Sequence, residues 1–159
     1  MAAQTAYGLY NVYYAGSGRA LAAGTGDATK VTSIDIDRLG YMSGTLVISG
    51  QATLQEAKTL SFTIDIQDCS TADGTFASYK AVAKTAYATG DTGGSTDYFC
   101  IPVDVNLEGA DRYLNIDITP DLSATGTDTA TWAATMILAG PVESVSIPIS
   151  HSSANGTLA

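Results

Sequence analysis

Apolar and polar residues alternate with a period of two along most of this chain. Ile34 and Ile36 alternate with Ser33, Asp35 and Asp37. Leu46 and Ile48 alternate with Thr45, Val47 and Ser49, and Phe62, Ile64 and Ile66 alternate with Ser61, Thr63, Asp65 and Gln67. The same beat returns at Ile101, Val103 and Val105, at Leu114, Ile116 and Ile118, and at Trp132, Ala134, Met136 and Leu138. Extended backbone sends successive side chains to opposite faces, so each run predicts a half-buried strand. The run from Phe76 to Ala88 is weaker and alanine-rich, and reads as one strand or two short ones.

Turn chemistry separates the runs. Leu39-Gly40, Ser49-Gly50, Asp73-Gly74, Gly93-Gly94, Glu108-Gly109 and Thr125-Gly126 are read as turns. No window carries clean 3.6-residue periodicity, and Leu54 to Lys58 has room for one helical turn at most. Short, regularly spaced strands predict an all-β fold, an antiparallel two-sheet β-sandwich of about eight strands, jelly-roll or immunoglobulin-like. Its expected core is Ile34, Ile36, Leu46, Ile48, Phe62, Ile64, Ile66, Val103, Leu114, Ile116, Ile118, Trp132, Met136 and Leu138.

The ends differ from the middle. Residues 1–29 carry Tyr7, Tyr10, Tyr13 and Tyr14 followed by a Gly- and Ala-rich stretch, and read as an N-terminal arm. The tyrosine spacing suits a strand or a helix equally. Residues 30–141 form the sandwich domain, and residues 142–159 a C-terminal strand and tail. In that last segment Val145, Ile147 and Ile149 alternate with Ser146 and Pro148, and the proline restricts the strand to an edge or an arm. Both terminal segments are candidate partner-binding elements, because each carries apolar or aromatic side chains outside the recognisable domain. The alternative is that they fold back as edge strands of their own sandwich.

Composition narrows the function. The 159 residues suffice for one domain and, at that length, bury roughly 70% of the unfolded surface without a disulfide or metal. A net charge of −9 repels phosphate backbones and argues against direct nucleic-acid binding. No apolar stretch approaches the roughly 20 residues of a membrane helix. The first residues lack a basic, apolar secretory leader, so synthesis in the cytoplasm is expected. Cys69 and Cys100 are then expected to be buried free thiols rather than a disulfide. The single histidine, His151, lies in the tail, where no rigid nucleophile–base pair is expected. No P-loop, HExxH, GxSxG or dinucleotide fingerprint occurs, so no enzyme activity, cofactor or metal is expected.

An apolar–Asp–apolar triplet recurs as Ile34-Asp35-Ile36, Ile64-Asp65-Ile66, Val103-Asp104-Val105 and Ile116-Asp117-Ile118. Aspartate is disfavoured within strands. The triplets are open to three readings: solvated outer faces that block edge pairing, an acidic face for a basic partner, or carboxylates sharing a divalent cation.

Several motifs together resemble a family. In order they are the strand Val31 to Ile36, the strand Gly44 to Ser49, and Thr63-Ile64-Asp65-Ile66-Gln67-Asp68-Cys69. Next come the turn Asp73-Gly74-Thr75-Phe76, the run Asp111-Arg112-Tyr113-Leu114-Asn115-Ile116-Asp117-Ile118, and a last strand ending Leu138-Ala139-Gly140-Pro141. The layout, over residues 30–141, resembles capsid decoration (cement) proteins and other small head proteins of tailed phages. The resemblance implies a non-enzymatic virion structural protein on the outer capsid surface, with the major capsid protein and its own copies, as a homotrimer, as partners. Alternatives are a tail or fibre component, or a carbohydrate- or cell-surface-binding module. Far-ultraviolet circular dichroism showing helix above about 20% would contradict the fold class, since average domains reach 30–35%.

Overall fold

The computed structural model describes residues 10–22, 29–123 and 127–141. Nine strands run through them: β1 (Tyr10–Ala22), β2 (Val31–Thr32), β3 (Ile36–Asp37), β4 (Tyr41–Leu54), β5 (Thr59–Cys69), β6 (Ala77–Thr89), β7 (Ser95–Asn106), β8 (Tyr113–Leu122) and β9 (Thr129–Pro141). No helix occurs among the described residues. The strands form two antiparallel sheets. The first has the order β1-β9-β4-β7; in the second, β8 lies between β5 and the short pair β2 and β3, and β6 flanks β5.

The pairing is nested. Treating β2 and β3 as one interrupted strand, the first strand pairs with the last (β1 with β9), the second with the next to last (β2 and β3 with β8). The remaining pairs of the nest are β4 with β7 and β5 with β6. Such nesting is a long antiparallel hairpin rolled into two sheets, a jelly roll. It decides between the two sandwich types that the alternation allows.

The inward residues are those the alternation picks out. Ile36, Leu46, Ile48, Phe62, Ile64, Ile66, Leu114, Ile116, Ile118, Met136 and Leu138 are fully buried, and Trp132 is 1% exposed. Aromatic rings link the sheets at the centre. Phe62 of the second sheet meets Trp132 edge-on with ring centroids 5.6 Å apart, and lies 5.8 Å from Phe99 and 6.1 Å from Tyr87. Each such pair is worth about 0.5–1.5 kcal/mol beyond its buried area.

Three expectations are corrected. Ser49-Gly50 is not a turn: it lies within β4, where Gly50 stands opposite both Trp132 and Phe99. A Cβ there would come within 2.1 Å of the Thr131 carbonyl oxygen, 2.8 Å of the Trp132 Cα and 2.9 Å of Phe99 Cζ. The glycine makes room for the β9 backbone and the Phe99 ring, which is a use of glycine in strands distinct from turning. Ile34 is not core but 42% exposed. Between β2 and β3 the Ser33 hydroxyl accepts the Ile116 N–H at 2.9 Å, in place of a backbone carbonyl. The Ser33 N–H still reaches the Ile116 carbonyl at 2.9 Å. The ladder therefore breaks locally, and alternation fails for Ile34 while Ile36 re-enters the core. Cys100 is exposed rather than buried, although Cys69 is buried and both thiols are free. Its neighbours Ile101 and Val103 face inward, so Cys100 has the opposite phase. Of the two readings of the alanine-rich run the single strand holds: it is β6, bulged against β5 at three places.

Residues 10–22 of the expected arm run as β1 along β9, with Tyr10 opposite Ala139, Tyr13 opposite Met136 and Tyr14 opposite Thr135. Tyr7, Val145, Ile147, Ile149 and the Thr125-Gly126 turn lie outside the described residues.

Truncating Trp132 to Ala should cost about 3–5 kcal/mol in urea unfolding, from lost transfer energy and the cavity left behind. Trp132→Phe should cost less, because the indole Nε1–H is buried without a hydrogen-bond partner and its removal relieves a desolvation penalty. Gly50→Val should be destabilising by about 1–3 kcal/mol through overpacking. A Gly50→Val protein as stable as the parent would refute the role given to that glycine.

Candidate functional site

The outer faces of the two sheets differ chemically. On the second sheet, Asp65 of β5 stands directly opposite Asp117 of β8. Like charges so placed destabilise a sheet unless they are compensated. Here the compensation is dense. Lys30 Nζ reaches Asp117 Oδ2 at 2.7 Å, and the Thr32 hydroxyl donates to Asp117 Oδ1 at 2.7 Å. Gln67 Nε2 bridges the pair, 3.0 Å from Asp65 Oδ2 and 3.4 Å from Asp117 Oδ2. The Ser78 hydroxyl donates to Asp65 Oδ1 at 2.5 Å. Nearby, Asn115 donates to Asp35 at 3.0 Å, and Lys84 pairs with Asp121.

The triplets therefore do not make one acidic surface. Asp35, Asp65 and Asp117 lie on the second sheet within a network of donors. Asp104 lies on β7 of the other sheet, where it accepts from Thr45 at 2.6 Å. Among the described residues no group of three or more His, Cys, Asp or Glu is placed to hold a metal ion.

The outer face of the first sheet is built from the alternate residues of β4, β7 and β9 that point away from the core. Val47 faces outward with Pro102 on one side and Thr135 on the other, and Ser49 lies between Cys100 and Ala133. Thr45 is flanked by Asp104 and Ile137, and Gln51 by Tyr98 and Thr131. Asp104 is the one carboxylate among these positions and none carries a basic side chain; the others are Thr, Ser, Ala, Val, Ile, Pro, Gln, Cys and Tyr. Tyr98 projects from it at 80% exposure. Depletion of charge with scattered apolar and aromatic groups is the composition of an interface centre rather than of an ordinary solvated sheet.

The Arg112-Tyr113 motif proves to be a brace at one end of the sandwich. Arg112 grips Asp37 with two bonds, Nε to Oδ1 at 3.1 Å and Nη2 to Oδ2 at 2.7 Å, and its guanidinium lies 5.0 Å from the Tyr113 ring centre. Arg38 donates to the Asp111 carbonyl at 2.8 Å and to the Tyr41 carbonyl at 3.1 Å. These bonds join β3 to the loop entering β8.

At one end of the fold the β4–β5 turn, the β6–β7 loop and the segment leading into β9 line a cleft of about 470 Å³ that is open to solvent. Thr53, Gln55, Gly93, Thr96, Thr127 and Asp128 are among its lining residues. The rim is locked by backbone bonds: Ala57 N–H to the Gly90 carbonyl and Gly90 N–H to the Lys58 carbonyl, both 2.8 Å. Gly90 is needed for this approach, since a Cβ there would lie 2.0 Å from the Gln55 carbonyl oxygen. Nothing in the residue pattern signals this cavity, because its walls come from three separated loops.

No protein-family model matches the chain. No curated protein matches it either. Its fold is similar to that of VP2 of infectious bursal disease virus in a subviral particle, at 12% identity over 83% of this chain and 32% of that one, with a TM-score of 0.46. The chain thus spans about a third of the length of that virus chain. It is also similar to the SPBc2 prophage-derived protein YomS, at 12% identity over 82% and 95% of the two chains, with a TM-score of 0.40. A third likeness is the CBM36-1 domain of a multidomain xylanase from the hindgut metagenome of Trinervitermes trinervoides, at 12% identity over 84% and 99%, with a TM-score of 0.39. These are likenesses of fold alone.

The brace generates a pH dependence. The hydrogen bond from Arg112 is the main reason the Asp37 carboxyl is held below its ordinary value of 3.8. A depressed carboxylate contributes stability that is complete above the unfolded value and lost as pH falls through the folded one. Arg112→Ala should therefore lower the urea midpoint slightly at neutral pH, and the difference from the parent should shrink once the pH drops below 3.8. A difference that stays constant into strong acid would show that Arg112 acts by packing alone.

Proposed function

We propose that this chain is a non-catalytic structural component of a virion, one that binds the outside of an icosahedral phage capsid and cements neighbouring major capsid subunits. The observation that carries this reading is the outer face of β9, β4 and β7, where Asp104 is the one carboxylate among the paired positions from Thr45 to Gln51, set against a second sheet whose Asp65, Asp117 and Asp121 already have partners within the chain. The resemblance of residues 30–141 to small phage head proteins supports the same reading. A doubly layered jelly roll supplies the stiffness that a cement needs, and the net charge of −9 keeps free copies apart before assembly. Homotrimers are the proposed solution state, in keeping with the closed symmetry usual for identical subunits.

The terminal segments contribute to attachment in this reading. Tyr7, Tyr10, Tyr13 and Tyr14 provide aromatic contact area, and Val145, Ile147 and Ile149 add as a strand to a neighbour's sheet edge. A carbohydrate-binding role is the second reading. Tyr98, 80% exposed and directly opposite Gln51, is its supporting observation, since an open aromatic ring beside an amide suits a sugar face.

The discriminating experiment is co-sedimentation with expanded phage shells. Val47→Glu and Thr135→Arg, each on the uncharged face, should leave the thermal unfolding transition in place and weaken shell binding at least tenfold, about 1.4 kcal/mol. Deleting residues 1–9 or 143–159 should also weaken binding while the chain still folds. Binding unchanged in every variant would end the cementing proposal. Saturable glycan binding that Tyr98→Ala abolishes would favour the second reading.

A further inference from the structure

Asp128 is the most deeply buried ionisable side chain among the described residues, at 1% exposure. Its Oδ1 accepts the Gln55 backbone N–H at 2.9 Å, while its Oδ2 has no hydrogen-bond partner. Asp117, the other buried carboxylate, has donors from Lys30, Thr32 and Gln67. Buried polar atoms are nearly always satisfied, and the exceptions tend to have a use. Asp128 is among the residues lining the cleft at the end of the sandwich, but its unsatisfied oxygen is itself buried, so a ligand in the cleft reaches it only when side chains of the wall move.

The chemistry around the cavity selects the ligand. Among the described residues no Lys, Arg or His lines it, and the Glu56 carboxylate sits on the rim, accepting the Gly93 N–H at 3.2 Å. An anion would be repelled, and a purely apolar group would strip water from the hydroxyls of Thr53, Thr96 and Thr127. A calcium ion takes six to eight oxygens, usually several of them carboxylate. No group of three acidic or other metal-binding side chains occurs among the described residues to provide that. An alkylammonium matches better: one positive charge and three donors, against one carboxylate and neighbouring hydroxyl and amide oxygens. The mouth admits it at Gly93, where an added Cβ would meet nothing within 4 Å. Gln55 and Thr127, exposed and joined by one 3.3 Å bond, are the side chains that must swing aside.

We propose that this cavity is a slot for the ammonium group of a lysine side chain presented by a protein partner. Nζ donates one hydrogen to Asp128 Oδ2 and the others to the Thr127 hydroxyl and the Gln55 side-chain carbonyl. The acidity of the whole chain draws a basic partner towards it. The proposal rests on the cavity alone and does not require the capsid reading.

The test is a titration of the full ¹⁵N-labelled chain with Nα-acetyl-lysine methylamide, followed at the amides of Gln55, Gly93, Gly94 and Thr127. Saturable shifts are expected, weakened by added salt and absent with the norleucine analogue, which has the same length without the charge. Asp128→Asn keeps an acceptor for the Gln55 N–H and should weaken binding at least tenfold. Thr96→Arg, an exposed position on the cavity wall, should block the slot without affecting folding and serves if the Asp128 variant does not fold. Equal shifts with both compounds, no shifts with either, undiminished binding to Thr96→Arg, or shifts at these amides with calcium chloride but not the lysine compound would each overturn the proposal.

Discussion

The sandwich is organised around the contact between Phe62 and Trp132, one ring from each sheet meeting edge to face across the core. Beside it, Gly50 lets β4 pass close to the β9 backbone at Thr131 and Trp132 and to the Phe99 ring, where any Cβ would clash. The small inward residues near it, Ala52 on β4 with Ala130 and Ala134 on β9, are each at most 2% exposed, so large rings and small residues interlock. Close-packed interiors tolerate such mixtures only when volumes match across the layer.

Charge is then distributed by the sheets rather than by the strands. Asp65 and Asp117 face one another, an arrangement that would loosen a sheet if left bare, yet Gln67 joins them and Lys30, Thr32 and Ser78 supply the remaining donors. The carboxylates of that face are paired within the chain, although Asn115 Oδ1 on β8 is buried there without a donor. The opposite face has almost no charge to satisfy, so contact with another surface costs little desolvation. A third environment, the end cavity, holds a carboxylate oxygen that the chain itself leaves without a donor. Three parts of one small domain thus differ in how completely their polar groups are paired, and that difference is what distinguishes a supporting surface from a binding one.

The strands and most of the core were legible in the residues alone, because alternation is a local property of extended backbone. Leu46, Ile48, Phe62, Ile64, Ile66, Ile116, Trp132 and Met136 are buried as their spacing requires. The same logic, applied to Cys100 beside Ile101 and Val103, already points that thiol outward; composition suggested the opposite and was the poorer guide. Other features depended on residues far apart in the chain. The break at Ile34 arises because Ser33 bonds to Ile116, and Gly50 serves the close approach of Phe99 on β7 and of the β9 backbone instead of a turn. Whether the strands rolled into a jelly roll, which triplets shared a face, and that Gln55 and Asp128 would meet were all decided by long-range pairing. A strand's own side chains dictate which of its faces is apolar, but its neighbours are chosen by the packing of the whole chain, and only that packing brings separated loops together into a site.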